Sequence, residues 1–285
     1  MEDMQDDKAP LLIAFCGDLF FSSRITSTGE RLGYAVQTIE RVEEIVPSES
    51  GAPVRQSAEI LVGPGAALLE QLTLKRPSLI IFDLNNNEIP WRDWIVLIKT
   101  SPATRRIPVL CFGAHREVDV MKAARSAGAD AVVARSQFVE ALGGLIQKYA
   151  RRVDRHALAE ACQQPLSEIA LRGLEEFNQR QFFEAHETLE TAWNMDASPG
   201  RELYRAILQV AVAYLQIERG NYPGAMKMFL RLRQWIDPLP ETCRGVDVAQ
   251  LRTDAWRARE ALIALGKDRI GEFDRKLFKP VIYRD

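Results

Sequence analysis

The chain has 285 residues, 47% of them hydrophobic, which is enough for two ordinary domains that each bury a core. Its 37 basic and 39 acidic residues give a formal charge of −2, so nothing in the balance attracts nucleic acid or an anionic membrane. No apolar run reaches the roughly 18 residues that a membrane span needs. We expect residues 1–10, which are acidic and polar, to be a disordered leader.

The four cysteines, Cys16, Cys111, Cys162 and Cys243, lie far apart in the sequence. Two of them fall inside apolar runs of the kind that form buried strands. This usage is typical of reduced thiols, and it predicts a soluble cytoplasmic protein.

Residues 11–151 alternate short apolar runs with helical segments. The predicted strands are Leu11–Cys16, Tyr34–Ile39, Ser78–Leu84, Ile107–Phe112 and Ala131–Ala134. The predicted helices are one that is capped by Ser22 or Ser23 and ends near Leu32, then Pro64–Lys75, Trp91–Lys99, Val118–Ala127 and Phe138–Arg151. Such alternation favours an α/β fold with a doubly wound parallel sheet, whose sites lie at the carboxyl ends of the strands. Asp18 and Asp83 both fall there.

This half resembles the receiver domain of two-component response regulators. The resemblance rests on the order of the elements, the strand that ends at Asp83, the run Ile107–Val109 and the run Gly128–Asp130. It implies a flavodoxin-like fold in which Asp83 accepts a phosphoryl group from a histidine kinase. It also implies Mg²⁺ held by Asp83 and by acidic residues near Asp18. A positively charged side chain at the position of Arg135 would face the phosphoryl oxygens.

The sequence departs from the receiver pattern at several of these positions. Only Asp18 remains of the acidic pair, and Gly113 replaces the hydroxyl residue that ends the fourth strand. Arg135 replaces the lysine that ends the fifth strand, and Ser136 replaces the proline after it. We therefore predict a pseudo-receiver in which Asp83 caps the next turn. The alternative is a receiver that is phosphorylated at Asp83, with Mg²⁺ at Asp83 and Asp18.

The periodicity becomes helical after a predicted linker, residues 152–165. Residues 166–285 are predicted to form an all-helical bundle. Its predicted helices are Leu166–Asn178, Phe182–Asn194, Glu202–Glu218, Gly224–Ile236 and Val246–Leu265. The basic and aromatic tail, Phe273–Asp285, is expected to pack back on the bundle.

Two helix hairpins of this half repeat at an offset of 40 residues. The matched pairs are Leu174 with Tyr214, Phe177 with Ile217, Phe182 with Tyr222, Ala185 with Ala225 and Leu189 with Phe229. An aromatic residue near the turn and a small residue three positions later resemble tetratricopeptide repeats. Since only two units are visible, the pattern favours a compact bundle over an extended solenoid.

A second resemblance covers residues 169–232. The matching residues are Phe177-Asn178, Phe182-Phe183-Glu184, His186-Glu187, Leu189-Glu190, Trp193, Gln209, Gly220-Asn221 and Gly224-Ala225. At this spacing they resemble the all-helical family catalogued as domain of unknown function 309. The resemblance implies a fold and no activity. Arg180 stands where the family usually has a turn glycine, and Ala206 where it often has another.

The candidate polar site of this half consists of His186, Glu187, Glu190, Gln209 and Asn178. His186 and Glu190 are four residues apart and share a helix face. One interpretation is a structural histidine hydrogen-bonded to a Glu or Gln of the facing helix. A second is a metal site at His186 and Glu190, and a third is phosphotransfer at His186.

These observations predict a non-catalytic two-domain signalling or scaffold protein. The pseudo-receiver would supply a docking or homodimerisation face, and the helical bundle would bind an unidentified protein partner. We expect neither nucleic acid nor a membrane as a partner. The rival hypotheses are a metal-dependent enzyme or metal sensor that uses His186, Glu187 and Glu190, and a receiver phosphorylated at Asp83.

Overall fold

The computed structural model describes residues 9–45, 54–56, 59–61 and 63–284. The predicted disordered leader therefore lies almost entirely outside the described residues. The chain divides between Arg152 and Val153 into two compact units, apart from the short segment 55–60. Each unit has its own core, and each is described separately below.

The first unit is an α/β fold around a five-stranded parallel sheet. The strands are β1 (Leu11–Phe15), β2 (Ala35–Ile39), β5 (Leu79–Asp83), β6 (Val109–Gly113) and β7 (Ala131–Ala134), with β3 (Val54–Gln56) and β4 (Glu59–Leu61) in a separate two-stranded sheet. The helices are α1 (Leu19–Arg31), α2 (Pro64–Lys75), α3 (Trp91–Thr100), α4 (Val118–Ser126) and α5 (Arg135–Tyr149). The strand order β2-β1-β5-β6-β7 is the flavodoxin-like order, and it confirms the predicted receiver-like fold class.

Both faces of this sheet are covered by helices, which is why its strands are continuous apolar runs rather than alternating ones. On one face Phe15 stacks on Phe82, with 4.6 Å between the ring centroids. On the other face Phe112 stacks on Phe138 at 4.0 Å. The two cores fix the sheet, and with it the positions of the strand ends.

Helix α1 begins earlier than predicted, and neither Ser22 nor Ser23 is its N-cap. Asp18 caps it instead, because its Oδ1 accepts hydrogen bonds from the backbone N–H groups of Phe20 at 2.9 Å and Phe21 at 3.4 Å. Ser22 lies inside the helix, where its hydroxyl donates to the Leu19 carbonyl. Helix α5 likewise begins before the predicted Phe138, at Arg135.

The second unit is helical, as predicted. Its helices are α6 (Arg155–Cys162), α7 (Glu168–Asn178), α8 (Phe182–Met195), α9 (Glu202–Glu218), α10 (Tyr222–Ile236) and α11 (Val248–Leu265). Helix α6 lies in the stretch that was predicted to be a linker. A short antiparallel pair, β8 (Thr242–Cys243) and β9 (Val246–Asp247), precedes α11. Helix α9 packs against both α8 and α10, and most of its residues are buried.

The two helix hairpins, α7–α8 and α9–α10, have the same turn at an offset of 40 residues. Arg180 and Gly220 occupy equivalent positions with φ of +63° and +68°, both in the left-handed region. Their backbone N–H groups donate to the carbonyls of Phe177 and Ile217, each at 2.9 Å. The turn therefore keeps its geometry although Arg180 replaces the glycine, and the arginine bears a conformational cost that Gly220 avoids.

The prediction of four reduced thiols is wrong for two of the cysteines. Cys162, at the end of α6, forms a disulfide with Cys243 of β8, across 81 residues of sequence. Cys16 and Cys111 are free and buried. The sequence gives no sign of this pairing, because four helices, α7 to α10, separate the two cysteines along the chain. The cysteines come together only in the folded unit. Disulfides persist mainly in oxidising environments, so cysteine usage no longer supports a cytoplasmic location.

The C-terminal tail packs on the helical unit and is held there by its backbone. Asn178 of α7 donates to the Val281 carbonyl at 3.0 Å and accepts from the Val281 N–H at 2.7 Å. Tyr283 pairs antiparallel with Val246 of β9. Phe278 stacks on Tyr214 with a centroid distance of 4.4 Å. The tail thus completes the core of this unit.

The helices of the described residues are all too short or too polar to span a membrane.

We expect the disulfide to stabilise the helical unit. Replacing Cys243 with serine should lower its free energy of unfolding by roughly 2–5 kcal/mol, because the bond constrains a long loop in the unfolded chain. Urea unfolding with and without reductant measures this difference. Thiol titration in denaturant should find two reactive cysteines without reductant and four with it. Equal unfolding midpoints in the two conditions would contradict the assignment.

The turn at Arg180 provides a second prediction. Arg180→Gly should raise the free energy of unfolding by about 1 kcal/mol, since glycine adopts positive φ without the side-chain clash. Gly220→Arg should lower it by a similar amount. Arg180→Ala is the matched control, because it removes the hydrogen bond from the Arg180 side chain to the Arg275 carbonyl but keeps the backbone cost. A stability gain in Arg180→Ala equal to that in Arg180→Gly would refute the explanation.

Candidate functional site

The first unit has a cleft of about 410 Å³ at the carboxyl ends of its parallel strands. Its lining comes from the loops after β1, β2 and β5 and from the start of α5. The lining residues are Gly17, Asp18, Glu40, Arg41, Asp83, Asn85, Asn86, Glu88 and Arg135. The structure therefore brings together Asp18, Asp83 and Arg135, the three residues that the sequence suggests for this site.

Asp83 ends β5 and is held on several sides. Its side chain is only 3% exposed, and Arg135 Nη2 lies 3.2 Å from Oδ1 and 3.4 Å from Oδ2. The backbone N–H of Asn85 donates to Oδ1 at 3.1 Å, so the carboxylate also caps the turn after the strand. Burial raises the pKa of Asp83 above its ordinary value, although the Asn85 N–H and Arg135 both act to lower it.

The other acidic residue, Asp18, is exposed, and its Oδ1 is engaged in capping α1. Cys16 precedes it, and its thiol donates to the Asp18 carbonyl at 3.6 Å. Burial, together with the nearby carboxylate of Asp83, raises the pKa of Cys16 to about 12, so this thiol stays protonated near neutrality. This thiol therefore adds no negative charge near Asp83.

The end of β6 bears no hydroxyl, since Gly113 stands there. A Cβ at this position would lie 3.3 Å from the Leu84 side chain, which is a tight contact. The side chain of Asn85 connects the loop after β5 to the loop after β6. Its Oδ1 accepts from the Ala114 N–H at 3.2 Å, and its Nδ2 donates to Glu117 at 2.6 Å.

The receiver resemblance implies Mg²⁺, and the described residues do not fit it. Arg135 faces both oxygens of Asp83, and Asp18 serves as a helix cap. Across the described residues, no three His, Cys, Asp or Glu side chains are grouped so that they could share a metal ion. The guanidinium of Arg135 thus contacts both of the oxygens that Asp83 would offer to a metal ion.

The helical unit has a second polar site, which we call the α9 furrow and define by His186, Glu190, Trp193, Arg205, Gln209 and Trp235. Helices α8 and α10 each pack on α9 and make little direct contact with one another, so a stripe of α9 is left between them. Arg205 and Gln209 are four residues apart on that stripe. His186, Glu190 and Trp193, which are spaced by four and then three residues, share one face of α8.

Arg205 connects the walls of the furrow. Its guanidinium carbon lies 4.1 Å from the ring centroid of Trp193 on α8 and 4.1 Å from that of Trp235 on α10. Burial lowers the pKa of Arg205, and the carboxylate of Glu190 is close enough to raise it in part. Sequence reasoning missed both Arg205 and Trp235, since neither stands in a recognisable motif. The only available signal was the helical spacing of Arg205 with Gln209.

The candidate polar residues of this half lie in three places. His186 is partly buried, Glu190 is exposed, and Gln209 is 7% exposed on the furrow floor. Glu187 is exposed, about 100° further round α8. Asn178 lies apart from the furrow, and its Nδ2 and Oδ1 both bond to Val281 of the tail.

A family model described as "Domain of unknown function (DUF309)" matches residues 170–228. Residues 170–228 of the helical unit are thus similar to this family. That segment contains α8, α9 and the first half of α10, and so most of the furrow. No curated protein matches the chain.

Two solved structures are similar to the other half. One is the phosphorylated cyanobacterial phytochrome response regulator RcpA, which is 17% identical with a TM-score of 0.38 over 50% of this chain and 94% of that one. The other is the chemotaxis response regulator CheY4 of Vibrio cholerae, 15% identical with a TM-score of 0.37 over 50% of this chain and 99% of that one.

Because Arg135 lowers the pKa of Asp83, replacing Arg135 should change how the stability of the fold depends on pH. Arg135→Met removes a cation that lowers the pKa of Asp83, so this pKa should rise further. A carboxyl with a raised folded-state pKa stabilises the fold while it is protonated and loses that contribution as the pH rises. Stability relative to Asp83→Asn should therefore fall above about pH 3.8.

Carboxyl titration by NMR, with unfolding measured at several pH values, tests this prediction. Arg41→Met is the control, since Arg41 lines the same cleft. An identical Asp83 titration in the native chain and Arg135→Met would refute the proposed role of the pair.

Proposed function

We propose that the chain is a non-catalytic signalling or scaffold protein, in which a pseudo-receiver supplies a docking or dimerisation face and the DUF309 unit binds a protein partner. The observation that carries the proposal is the Asp83–Arg135 pair. A phosphoryl acceptor needs an accessible carboxylate, and here the carboxylate is buried and in contact with a guanidinium at 3.2 Å.

Phosphoryl transfer depends almost entirely on positioning and on neutralising charge. The cleft has no hydroxyl at Gly113, and Asp18 is occupied as a cap. A metal ion or a phosphoryl donor at Asp83 would have to displace Arg135 from the carboxylate oxygens. The loss of this contact opposes both metal binding and phosphorylation at Asp83.

In this proposal the receiver-like unit acts through a surface that binds protein, and not through chemistry at Asp83. Helix α5 exposes Glu140, Ala141, Gly144 and Lys148 along one side, with open space around Gly144. Small residues between charged ones allow close approach of a second helix. We therefore place the docking or dimerisation face on α5.

Acetyl phosphate tests the non-catalytic part of the proposal. With Mg²⁺ present, the native chain should gain no phosphoryl mass at Asp83. The matched variant combines Gly17→Asp, Gly113→Ser and Arg135→Lys, which restores the acid, the hydroxyl and the lysine of the receiver pattern. A gain in this variant alone supports the proposal, whereas a stoichiometric gain in the native chain overturns it.

Sedimentation of the full chain tests the α5 face. Combining Glu140→Lys with Lys148→Glu leaves the net charge unchanged and should shift the oligomeric state or remove a bound partner. Glu70→Lys on the exposed side of α2 is the control. If the double variant and the control behave alike, the docking face does not lie on α5.

A further inference from the structure

The outer side of β2, at one edge of the large sheet, has free backbone hydrogen-bonding groups. β2 is the first strand in the sheet order and pairs with β1 alone. The N–H of Ala35 and the carbonyl of Ile39 both bond on the β1 side, each at 3.0 Å. Since neighbouring residues of a strand direct their backbone groups to opposite sides, Val36 and Thr38 direct theirs outward, where no described residue bonds to them.

β2 lacks the features that usually keep an edge strand from pairing with another chain. Such strands are commonly protected by a lysine, a proline or a bulge. The sequence of β2, AVQTI, has no charged residue and no proline, and its register with β1 is unbroken from Ala35 to Ile39. Four of its five residues are exposed or partly exposed, whereas β5 and β6 are buried throughout. The edge can therefore accept a further strand.

A second copy of β2, running in the opposite direction, matches this edge. In that arrangement Val36 pairs with Thr38 of the other copy, and each such pair exchanges two hydrogen bonds, so the outward groups of both strands are satisfied. The two-fold axis then passes beside Gln37, which faces its own copy with about 4.5 Å between the Cα atoms. A charged side chain here would repel itself, whereas a glutamine amide can both donate to its copy and accept from it.

The side chains around Gln37 suit this contact. Its Oε1 accepts from Lys75 Nζ of α2 at 2.9 Å, and its Nε2 donates to no described residue. Leu74, beside Lys75 on α2, is 61% exposed although it is apolar. A two-fold axis perpendicular to the sheet keeps both copies of α2 on the same face, so this leucine would border the other copy. Pairing would thus cover an apolar side chain that otherwise faces water.

The exposed charges at the two ends of β2 are also complementary. Residues 40–44, which follow the strand, include three exposed glutamates and one exposed arginine. Near its start, the guanidinium carbon of Arg152 lies 5.0 Å from the centroid of the Tyr34 ring, and Arg31 ends α1 next to Glu30. The antiparallel register places Glu40 of one copy opposite Tyr34 of the other. Each end of the join thus brings net negative charge to net positive charge.

We propose that two copies of this protein join edge to edge through antiparallel β2 strands, with the two-fold axis at Gln37. The result is a continuous sheet to which each copy contributes five strands. The inference goes beyond the proposed function, because it gives the receiver-like unit a second surface. Helix α5 packs on β6 and β7, away from the β2 edge, so it is left to a different partner.

Sedimentation velocity of the full chain over a range of concentrations provides the first test, and the native chain should form dimers. Thr38→Pro removes an outward N–H from each copy and should raise the dissociation constant of the dimer by about tenfold or more. The pairing with β1 does not use this N–H, so a proline is compatible with the fold, and circular dichroism should be unchanged. Thr38→Val is the matched control, because it keeps the N–H and should dimerise like the native chain.

Cross-linking tests the register independently of any effect of proline on folding. Mild oxidation of Gln37→Cys should give a covalent dimer on a non-reducing gel, since Cα atoms about 4.5 Å apart suit a disulfide. Ala35→Cys is the control, because position 35 faces position 39 of the other copy and lies roughly 13 Å along the strands from its own equivalent. It should stay monomeric on the gel, as should the native chain, whose free cysteines, Cys16 and Cys111, are buried.

The outcomes are distinguishable from failure of the proposed function. A native chain that is monomeric at every concentration overturns the pairing, while the acetyl phosphate and α5 experiments still decide the proposed function. A dimer that resists Thr38→Pro but is lost in the α5 double variant moves the join to α5. A dimer without cross-linking in Gln37→Cys overturns the two-fold register. If the native chain is monomeric and binds another protein that Thr38→Pro releases, the edge accepts a foreign strand and not a second copy.

Discussion

The helical unit depends on the burial of α9. This helix is apolar on nearly every face, so it must be covered by α8 on one side and α10 on the other, and each hairpin supplies one of these partners. Eleven of its 17 residues are buried, and Gln209 is one of them. Arg205 is only partly buried and lies at the edge of the core, where the indoles of Trp193 and Trp235 cover its guanidinium.

The receiver-like unit depends on a different constraint, which is that Asp83 must be buried in a parallel sheet. A carboxylate at the end of a central strand cannot stay ionised there without a counter-charge. In this chain the counter-charge comes from Arg135, which contacts both oxygens of Asp83.

Sequence reasoning anticipated the features that depend on local pattern. The five strands of the large sheet, the helix hairpins and the grouping of Asp18 with Asp83 follow from apolar runs and their spacing, and the receiver resemblance added Arg135 to that group. It failed where distant residues meet. Helix α1 begins closer to β1 than predicted, so its N-cap is Asp18 and not Ser22 or Ser23. The Cys162–Cys243 bond and the stacking of Arg205 between two indoles join helices whose relative positions no local pattern encodes.

The disulfide has a consequence for the modularity of the chain. The Cα atoms of Cys162 and Cys243 lie 4.3 Å apart, close to the about 3.8 Å that separates neighbouring residues. The intervening residues, which include the whole DUF309 match, therefore leave and return at nearly the same point in space. Such a segment has the geometry of a loop insertion, and new chain ends could be opened elsewhere within it without stretching the backbone. The family match thus lies within a loop whose ends the disulfide joins, while α11 and the tail, which lie outside that loop, complete its core.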